Sequence, residues 1–137
     1  PGIRFFQGHQ GIQKILDDII ETKHHILSFT SLEDAIELLG DDFKDFIKRR
    51  HARFLRVKFL TNRSPETMQL KARDAEELRE TRFLPDGVKI KNANFIYADK
   101  IAIIALNKNM PVGIIIEDKD IAETQTALFS CLWGSRT

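Results

Sequence analysis

The chain has 137 residues, a length that suits one compact domain with a single hydrophobic core. Hydrophobic residues make up 42% and charged residues 30%, proportions typical of a globular protein rather than a disordered one. The net charge of +1 gives no argument for a nucleic-acid or membrane partner, and no apolar run approaches the ~20 residues that span a bilayer. A single cysteine excludes an internal disulfide, so we expect a cytoplasmic protein without a signal peptide.

Hydrophobic periodicity predicts strands alternating with helices in the first half of the chain, then a run of strands and a closing helix. The predicted strands are 3–6, 26–29, 55–60, 88–97, 101–106 and 112–116, and the predicted helices are about 12–20, 32–39, 42–53, 65–82 and 120–133. This order predicts one α/β domain over residues 1–137, with a mixed β-sheet flanked by helices.

Two of these helices depend on local signals. Ser64-Pro65-Glu66 has the form of a helix start, because proline is favoured at the first helical position, and the charged segment that follows favours a surface helix over 65–82. Asp120-x-x-Glu123 resembles a capping box for the final helix. The residues predicted to line the inner face of that helix are Ile121, Leu128, Phe129 and Leu132.

Seven basic residues stand between Lys44 and Lys58, against the single acidic residue Asp45. Such a stretch could bind nucleic acid, but basic residues also favour the C-terminus of a helix, where they meet the helix dipole. Apolar residues that a core should bury interleave with the basic ones, namely Phe46, Ile47, Phe54, Val57 and Phe59. We therefore predict that this stretch is not a DNA-binding surface.

The segment from Asn92 to Asp99 has the spacing of the H-x-K-x4-D signature of phospholipase D-type phosphodiesterases, which it resembles with only the aspartate retained. In those enzymes the histidine attacks phosphorus and the lysine holds the phosphate oxygens. Asn92 and Asn94 stand at these two positions. An amide has no lone pair basic enough for attack and no charge to balance a developing phosphorane, so the sequence predicts no catalysis.

Three further segments resemble the C-terminal effector domain of TrmB-type transcriptional regulators, which has a phospholipase D-like fold. Arg4-Phe5-Phe6-Gln7-Gly8-His9-Gln10-Gly11-Ile12 is similar to an R-F-Y-x-G-x-x-G-I opening, a charged segment runs into Arg82-Phe83-Leu84-Pro85, and residues 112–133 resemble the last strand and helix of that fold. The resemblance implies a single phospholipase D-like repeat, a polar ligand such as a sugar, and a homodimer. It also implies that DNA is contacted only through a helix-turn-helix domain preceding residue 1.

The resemblance and the degenerate signature together predict a ligand site at Asn92, Asn94 and Asp99, with Arg82. We expect no cofactor, and no metal site, because the His24-His25 pair lacks a pattern of neighbouring ligands. The function predicted first is a ligand-sensing or dimerising effector domain of a transcriptional regulator from an archaeon. Two alternatives remain open, a divergent phosphodiesterase or nuclease and an oligomerisation module without a ligand.

Overall fold

The computed structural model describes residues 2–134, which form one seven-stranded mixed sheet and five helices. The strands are β1 (Gly2–Gln7), β2 (Ile26–Thr30), β3 (Val57–Thr61), β4 (Arg79–Phe83), β5 (Ala93–Tyr97), β6 (Lys100–Ala105) and β7 (Val112–Glu117). The helices are α1 (Gly8–Ile20), α2 (Leu32–Leu39), α3 (Asp41–Ala52), α4 (Pro65–Ala72) and α5 (Lys119–Gly134). The predicted α/β class with a mixed sheet is confirmed.

The strand order is β1-β7-β6-β5-β2-β3-β4, and the sheet has two halves of different character. Strands β2, β3 and β4 run parallel to one another, whereas the pairs β1–β7, β7–β6, β6–β5 and β5–β2 are antiparallel. Helical crossovers therefore connect β2, β3 and β4, whereas short turns connect β5, β6 and β7.

Helices pack against both faces of the sheet. One face, called here the α1 face, packs against α1 to α4, and the opposite α5 face packs against α5. On the α1 face, buried residues of α1 such as Ile12 and Ile15 contact the sheet. Gly113 of β7 permits this approach, because a Cβ atom there would come within 2.4 Å of the Ile15 Cδ1 atom. On the α5 face, Ala122, Phe129 and Trp133 cover the centre of the sheet.

The helix predicted over 65–82 is wrong in its second half. Helix α4 ends at Ala72, residues 73–78 form turns, and 79–83 is strand β4 at the edge of the sheet. The strand alternates buried Arg79, Thr81 and Phe83 with more exposed neighbours, but two of its three buried side chains are polar. That polarity conceals the period of two from which a strand is normally predicted.

The inner face predicted for the last helix is also largely wrong. Phe129 is buried as expected, but the other buried residues of α5 are Ala122 and Trp133. Ile121, Leu128 and Leu132 are 42%, 56% and 46% exposed. The strand predicted from residue 88 begins only at Ala93. Within residues 2–134, no helix combines the length and the apolar character needed to cross a membrane.

Arg50 is the largest fully buried side chain among the described residues. Its Nη1 atom donates to the carbonyl oxygens of Leu55 at 2.8 Å and Leu78 at 2.9 Å, and its Nη2 atom donates to that of Glu77 at 2.6 Å. Burial, followed by the nearby charge of Arg79, lowers the pKa of Arg50 to about 10. The side chain therefore remains charged near neutral pH and ties the turns before β4 to the end of α3.

We expect Arg50→Met to lower the free energy of unfolding by about 3 kcal/mol, because it leaves three largely buried carbonyl groups without their donors. Urea denaturation would measure the change. The matched control is Arg49→Met, which removes an exposed cation paired with Asp17 and Asp45 and should cost less than ~1 kcal/mol. Equal losses for the two variants would contradict the structural role given to Arg50.

Candidate functional site

Asn92 and Asn94 lie at the start of β5, beside the carboxyl end of β2. Thr30 of β2 pairs with Ala93, and the N–H group of Ser31 donates to the carbonyl oxygen of Asn92 at 3.0 Å. The parallel strands β2, β3 and β4 all end at this edge of the sheet. In open α/β sheets this is the edge at which ligands bind.

The two asparagine side chains form a reciprocal pair. Asn92 Nδ2 donates to Asn94 Oδ1 at 3.2 Å, and Asn94 Nδ2 donates to Asn92 Oδ1 at 3.1 Å and to the carbonyl oxygen of Phe29 at 2.9 Å. Both amide protons of the buried Asn94 are therefore used inside the protein. Asn92 is half-buried and keeps one amide proton and one lone pair beyond the pair. Neither side chain supplies a basic nitrogen or a cation.

The structure does not bring Asp99 to this pair. Asp99 lies in the exposed turn between β5 and β6, where its carbonyl oxygen accepts a hydrogen bond from the Asp118 N–H group at 3.1 Å. The strand between Asn94 and Tyr97 alone separates the two ends by ~10 Å, at ~3.3 Å per residue. The signature therefore extends along β5, so the asparagine pair and Asp99 lie at opposite ends of this strand.

Arg82 shares a row with Asn94 but lies three strands away. Asn94 stands opposite Phe29, Phe29 beside Leu60, and Leu60 beside Arg82, which gives ~14 Å at ~4.8 Å per strand. Its guanidinium group lies over the Trp133 ring at 4.3 Å and donates to the Trp133 carbonyl oxygen at 2.7 Å. A further ion pair with Glu80, at 3.1 Å, occupies the remaining side. Arg82 thus holds the end of α5 and does not reach the asparagine pair.

A charged cluster ties α1 to the Asp99 end of β5. The Asp18 carboxylate accepts a hydrogen bond from the Tyr97 hydroxyl at 2.9 Å and pairs with Lys100 at 3.1 Å and Arg4 at 3.6 Å. Burial alone would raise the pKa of Asp18, but the hydrogen bonds from Tyr97 and Lys100 and the charges of Lys100 and Arg4 lower it below 3.8. Burial, reinforced by Asp18, raises the pKa of Tyr97, so the phenol stays protonated.

Two spaces open on the α1 face, across the sheet from the side chains of the asparagine pair. A cavity of about 50 Å³ lies beneath α2 and α3, with Ser28 and Thr30 in its wall, and their hydroxyl groups bond to each other at 2.8 Å. A groove of about 490 Å³ lies between α3 and α4. Only the groove falls in the ~300–1,000 Å³ range of small-molecule sites.

The groove has an apolar floor and a charged rim. Its lining residues are Leu32, Ile36, Gly40, Phe43, Lys44, Ile47, Lys48, Glu66, Gln69, Leu70, Arg73 and Glu77. They come from α2, α3, α4 and the turns after α4, so no linear motif joins them. Sequence reasoning missed this space because only the packing of separate helices creates it. Over residues 2–134, no group of three or more His, Cys, Asp or Glu side chains is arranged to hold a metal ion.

Neither the models of known protein families nor the curated protein sequences yield a match. Comparison with solved structures does yield matches. Nuc from Salmonella typhimurium, a phospholipase D family member, aligns with a TM-score of 0.73 and 12% identity over 99% of this chain and 96% of its own. NucT from Helicobacter pylori aligns with a TM-score of 0.72 and 10% identity over 99% of both chains.

TrmBL2, an archaeal chromatin protein, aligns with a TM-score of 0.64 and 16% identity. The alignment covers 99% of this chain but 53% of TrmBL2, so the chain spans about half the length of that protein. At these identities the likeness shows the fold alone. The chain has the phospholipase D fold, and the two signature positions at the edge of its sheet are occupied by a hydrogen-bonded asparagine pair.

Acid should weaken the cluster around Asp18. Because the folded-state pKa of Asp18 is depressed, its contribution to stability is present above the ordinary value of 3.8 and is lost as the pH falls through the folded-state value. Asp18→Asn should therefore destabilise the protein near neutral pH, and its difference from the unmodified protein should shrink below 3.8.

Urea denaturation from neutral pH to about 2.5 would measure this difference. Tyr97→Phe removes one of the lowering interactions and keeps both ion pairs, so it should weaken the pH dependence only in part. A difference between Asp18→Asn and the unmodified protein that stays constant over this pH range would disprove the assignment.

Proposed function

We propose that this domain is a non-catalytic regulatory unit that binds a small polar metabolite, and a sugar is the first candidate. The observation that carries the proposal is the asparagine pair, which replaces a nucleophile and a phosphate clamp by two amides bonded to each other. The resemblance of the sequence to TrmB-type effector domains, and the shared fold of TrmBL2, support a place in a transcriptional regulator.

The asparagine pair lacks the chemical groups that phosphoryl transfer requires. A covalent mechanism needs a nucleophile activated by its surroundings and a positive charge on the transferred group. Asn94 has both amide protons committed, to Asn92 and to the carbonyl oxygen of Phe29, and is 8% exposed. An arrangement of this kind stabilises the strand junction and leaves Asn92 as the outward-facing polar group.

The ligand site proposed here is centred on Asn92, and Asp99 and Arg82 are too distant to share it. The groove between α3 and α4 opens on the α1 face of the sheet, whereas the paired side chains of Asn92 and Asn94 stand on the α5 face, in the same row as Leu60 and Arg82. A polar ligand would therefore meet the Asn92 amide on the α5 face, and the groove is a separate candidate space.

DNA would be contacted through a separate domain. In the basic stretch from Lys44 to Lys58, Arg50 is buried, Arg49 pairs with Asp17 at 2.9 Å, and Arg53 donates to the carbonyl oxygen of Ile20 at 3.4 Å. These side chains hold α3 in place, so the stretch offers fewer cations to phosphate groups than its composition implies.

The second candidate is a divergent phosphodiesterase, favoured by the alignment with Nuc and NucT over nearly the whole of both chains. We expect no hydrolysis of bis-p-nitrophenyl phosphate above the buffer rate, because losing such groups lowers rates by several powers of ten. A phosphodiesterase that hydrolyses this ester would serve as the positive control. Metal-independent hydrolysis that disappears in Asn92→Ala would establish the enzyme and refute the regulatory proposal.

Ligand binding should appear as thermal stabilisation in a screen of sugars, nucleotides and phosphate esters. A ligand at ~100 times its dissociation constant stabilises a fold by ~2.7 kcal/mol. Asn92→Ala should weaken a hit at least tenfold, whereas Asp99→Ala should leave it unchanged. Weakening by Gln69→Ala but not by Asn92→Ala would move the site to the groove on the α1 face, and an affinity that ignores all three variants would refute the site.

A further inference from the structure

The floor of the groove between α3 and α4 consists of apolar side chains. Leu32 and Leu70, which are 1% and 3% exposed, form its buried part, and Phe43 and Ile47 of α3 are half-buried beside them. Ile36 of α2 also lines the groove and is 42% exposed. A polar group lying on this floor would lose its water and find no side-chain partner there, so the floor favours a ligand with an apolar body.

One rim of the groove is cationic. Lys44 and Lys48 are exposed, lie one helical turn apart on α3 and both line the groove. Over residues 2–134, neither lysine forms an ion pair with a carboxylate. Like charges four residues apart on a helix repel each other, and an anion placed between them would relieve that repulsion.

The acidic residues that line the groove are stabilised by other partners. Glu77 pairs with Arg79 at 2.7 Å and with Arg73 at 3.4 Å. Glu66 lies in the first turn of α4, where the helix dipole favours a carboxylate. Among the lining residues, the two lysines of α3 are therefore the cations whose charge is not balanced by a neighbour, and they provide a place for a negative charge.

The dimensions of the groove suit a small molecule better than a peptide. Its volume of about 490 Å³ lies within the ~300–1,000 Å³ range of small-molecule sites. Two turns of a peptide helix, ~10 Å thick and ~11 Å long, would occupy ~850 Å³. The Cα atoms of Lys44 and Lys48 are ~6 Å apart along the helix, at ~1.5 Å per residue. Both ammonium groups can therefore reach one carboxylate, which offers an oxygen to each.

We propose that this groove binds a small amphiphilic carboxylate, that is, an unbranched alkyl chain with one carboxylate group. The carboxylate lies between Lys44 and Lys48. The alkyl chain lies on the apolar floor beside Phe43 and Leu70. This site is on the α1 face, across the sheet from the Asn92 side chain, so it is separate from the ligand site proposed above and does not depend on it.

The first test is calorimetric titration of the full chain with sodium hexanoate, octanoate and decanoate. We expect the dissociation constant to fall ~4-fold for each added methylene group, which corresponds to ~0.8 kcal/mol per buried methylene. The neutral ligand 1-octanol should bind more weakly than octanoate, because it has the same chain without the charge. Equal affinities for hexanoate and decanoate, or no binding of decanoate at ~1 mM, would overturn the proposal.

Substitutions separate the charge from the apolar floor. Lys44→Gln and Lys48→Gln should each weaken octanoate about fivefold and leave 1-octanol unchanged, because each removes only a charge. Ile36→Ser should weaken both ligands. The matched control is Lys14→Gln, which removes the same charge from an exposed position of α1 and should leave octanoate binding unchanged. Circular dichroism would verify folding, since all four side chains are exposed.

A photoreactive probe locates the site. Octanoate carrying a diazirine group should label peptides that contain residues 36–48 and 66–73. Labelling confined to the strand end at Asn92, or an octanoate affinity that Asn92→Ala lowers and Ile36→Ser does not, would overturn the groove as the site and leave the ligand site at Asn92 in place. Equal weakening by Lys14→Gln and Lys44→Gln would show an effect of net charge alone, which overturns the role of the two lysines.

Discussion

The antiparallel ladder between β2 and β5 joins the two halves of the sheet, and the rest of the molecule is arranged around it. To one side lie the parallel strands with their helical crossovers, and to the other lie the antiparallel strands joined by short turns. Polar side chains concentrate at this junction. Ser28 and Thr30 bond to each other, the Thr61 hydroxyl donates to the Thr30 carbonyl oxygen at 2.7 Å, and Asn94 donates to that of Phe29.

The hydrogen bonds of Asn94 explain how a signature that lacks its catalytic residues still stabilises the fold. A buried amide with all its donors used is stable, whereas a lysine at position 94 would need an anion beside it to remain charged in the same place. The partners of the Asn94 side chain are the Asn92 amide and the Phe29 carbonyl oxygen, which an amide satisfies without a charge.

Much of the fold could be predicted from the sequence, because most of the core uses simple periodicity. The apolar spacing in α1 and the alternation in β3 identify their elements directly. β4 could not be recognised, since Arg79 is buried through its bonds to Asp74, Glu77 and the carbonyl oxygen of Leu70, which lie in the preceding helix and turns. Burial of this kind follows from three-dimensional partners and leaves no pattern in the hydrophobicity.

The candidate site was predictable only where residues are close in sequence. Asn92 and Asn94 share a face because side chains of a strand alternate, so their proximity follows from their spacing. The contact of Arg82 with Trp133 spans 51 residues and depends on the diagonal path of α5. The groove between α3 and α4 depends on helix packing alone. The spacing of residues along the sequence predicts neither this contact nor this groove.

The position of β1 has a consequence for the order of folding. Gly2 pairs with Glu117, so β1 is synthesised long before β7, the strand with which it must pair to join the sheet. Contacts this distant in sequence form slowly, and until they form, the apolar residues Ile3 and Phe5 stay on an unpaired segment. The nascent chain therefore carries an aggregation-prone segment while the residues between β1 and β7 are made, and a chaperone would be suited to hold that segment apart.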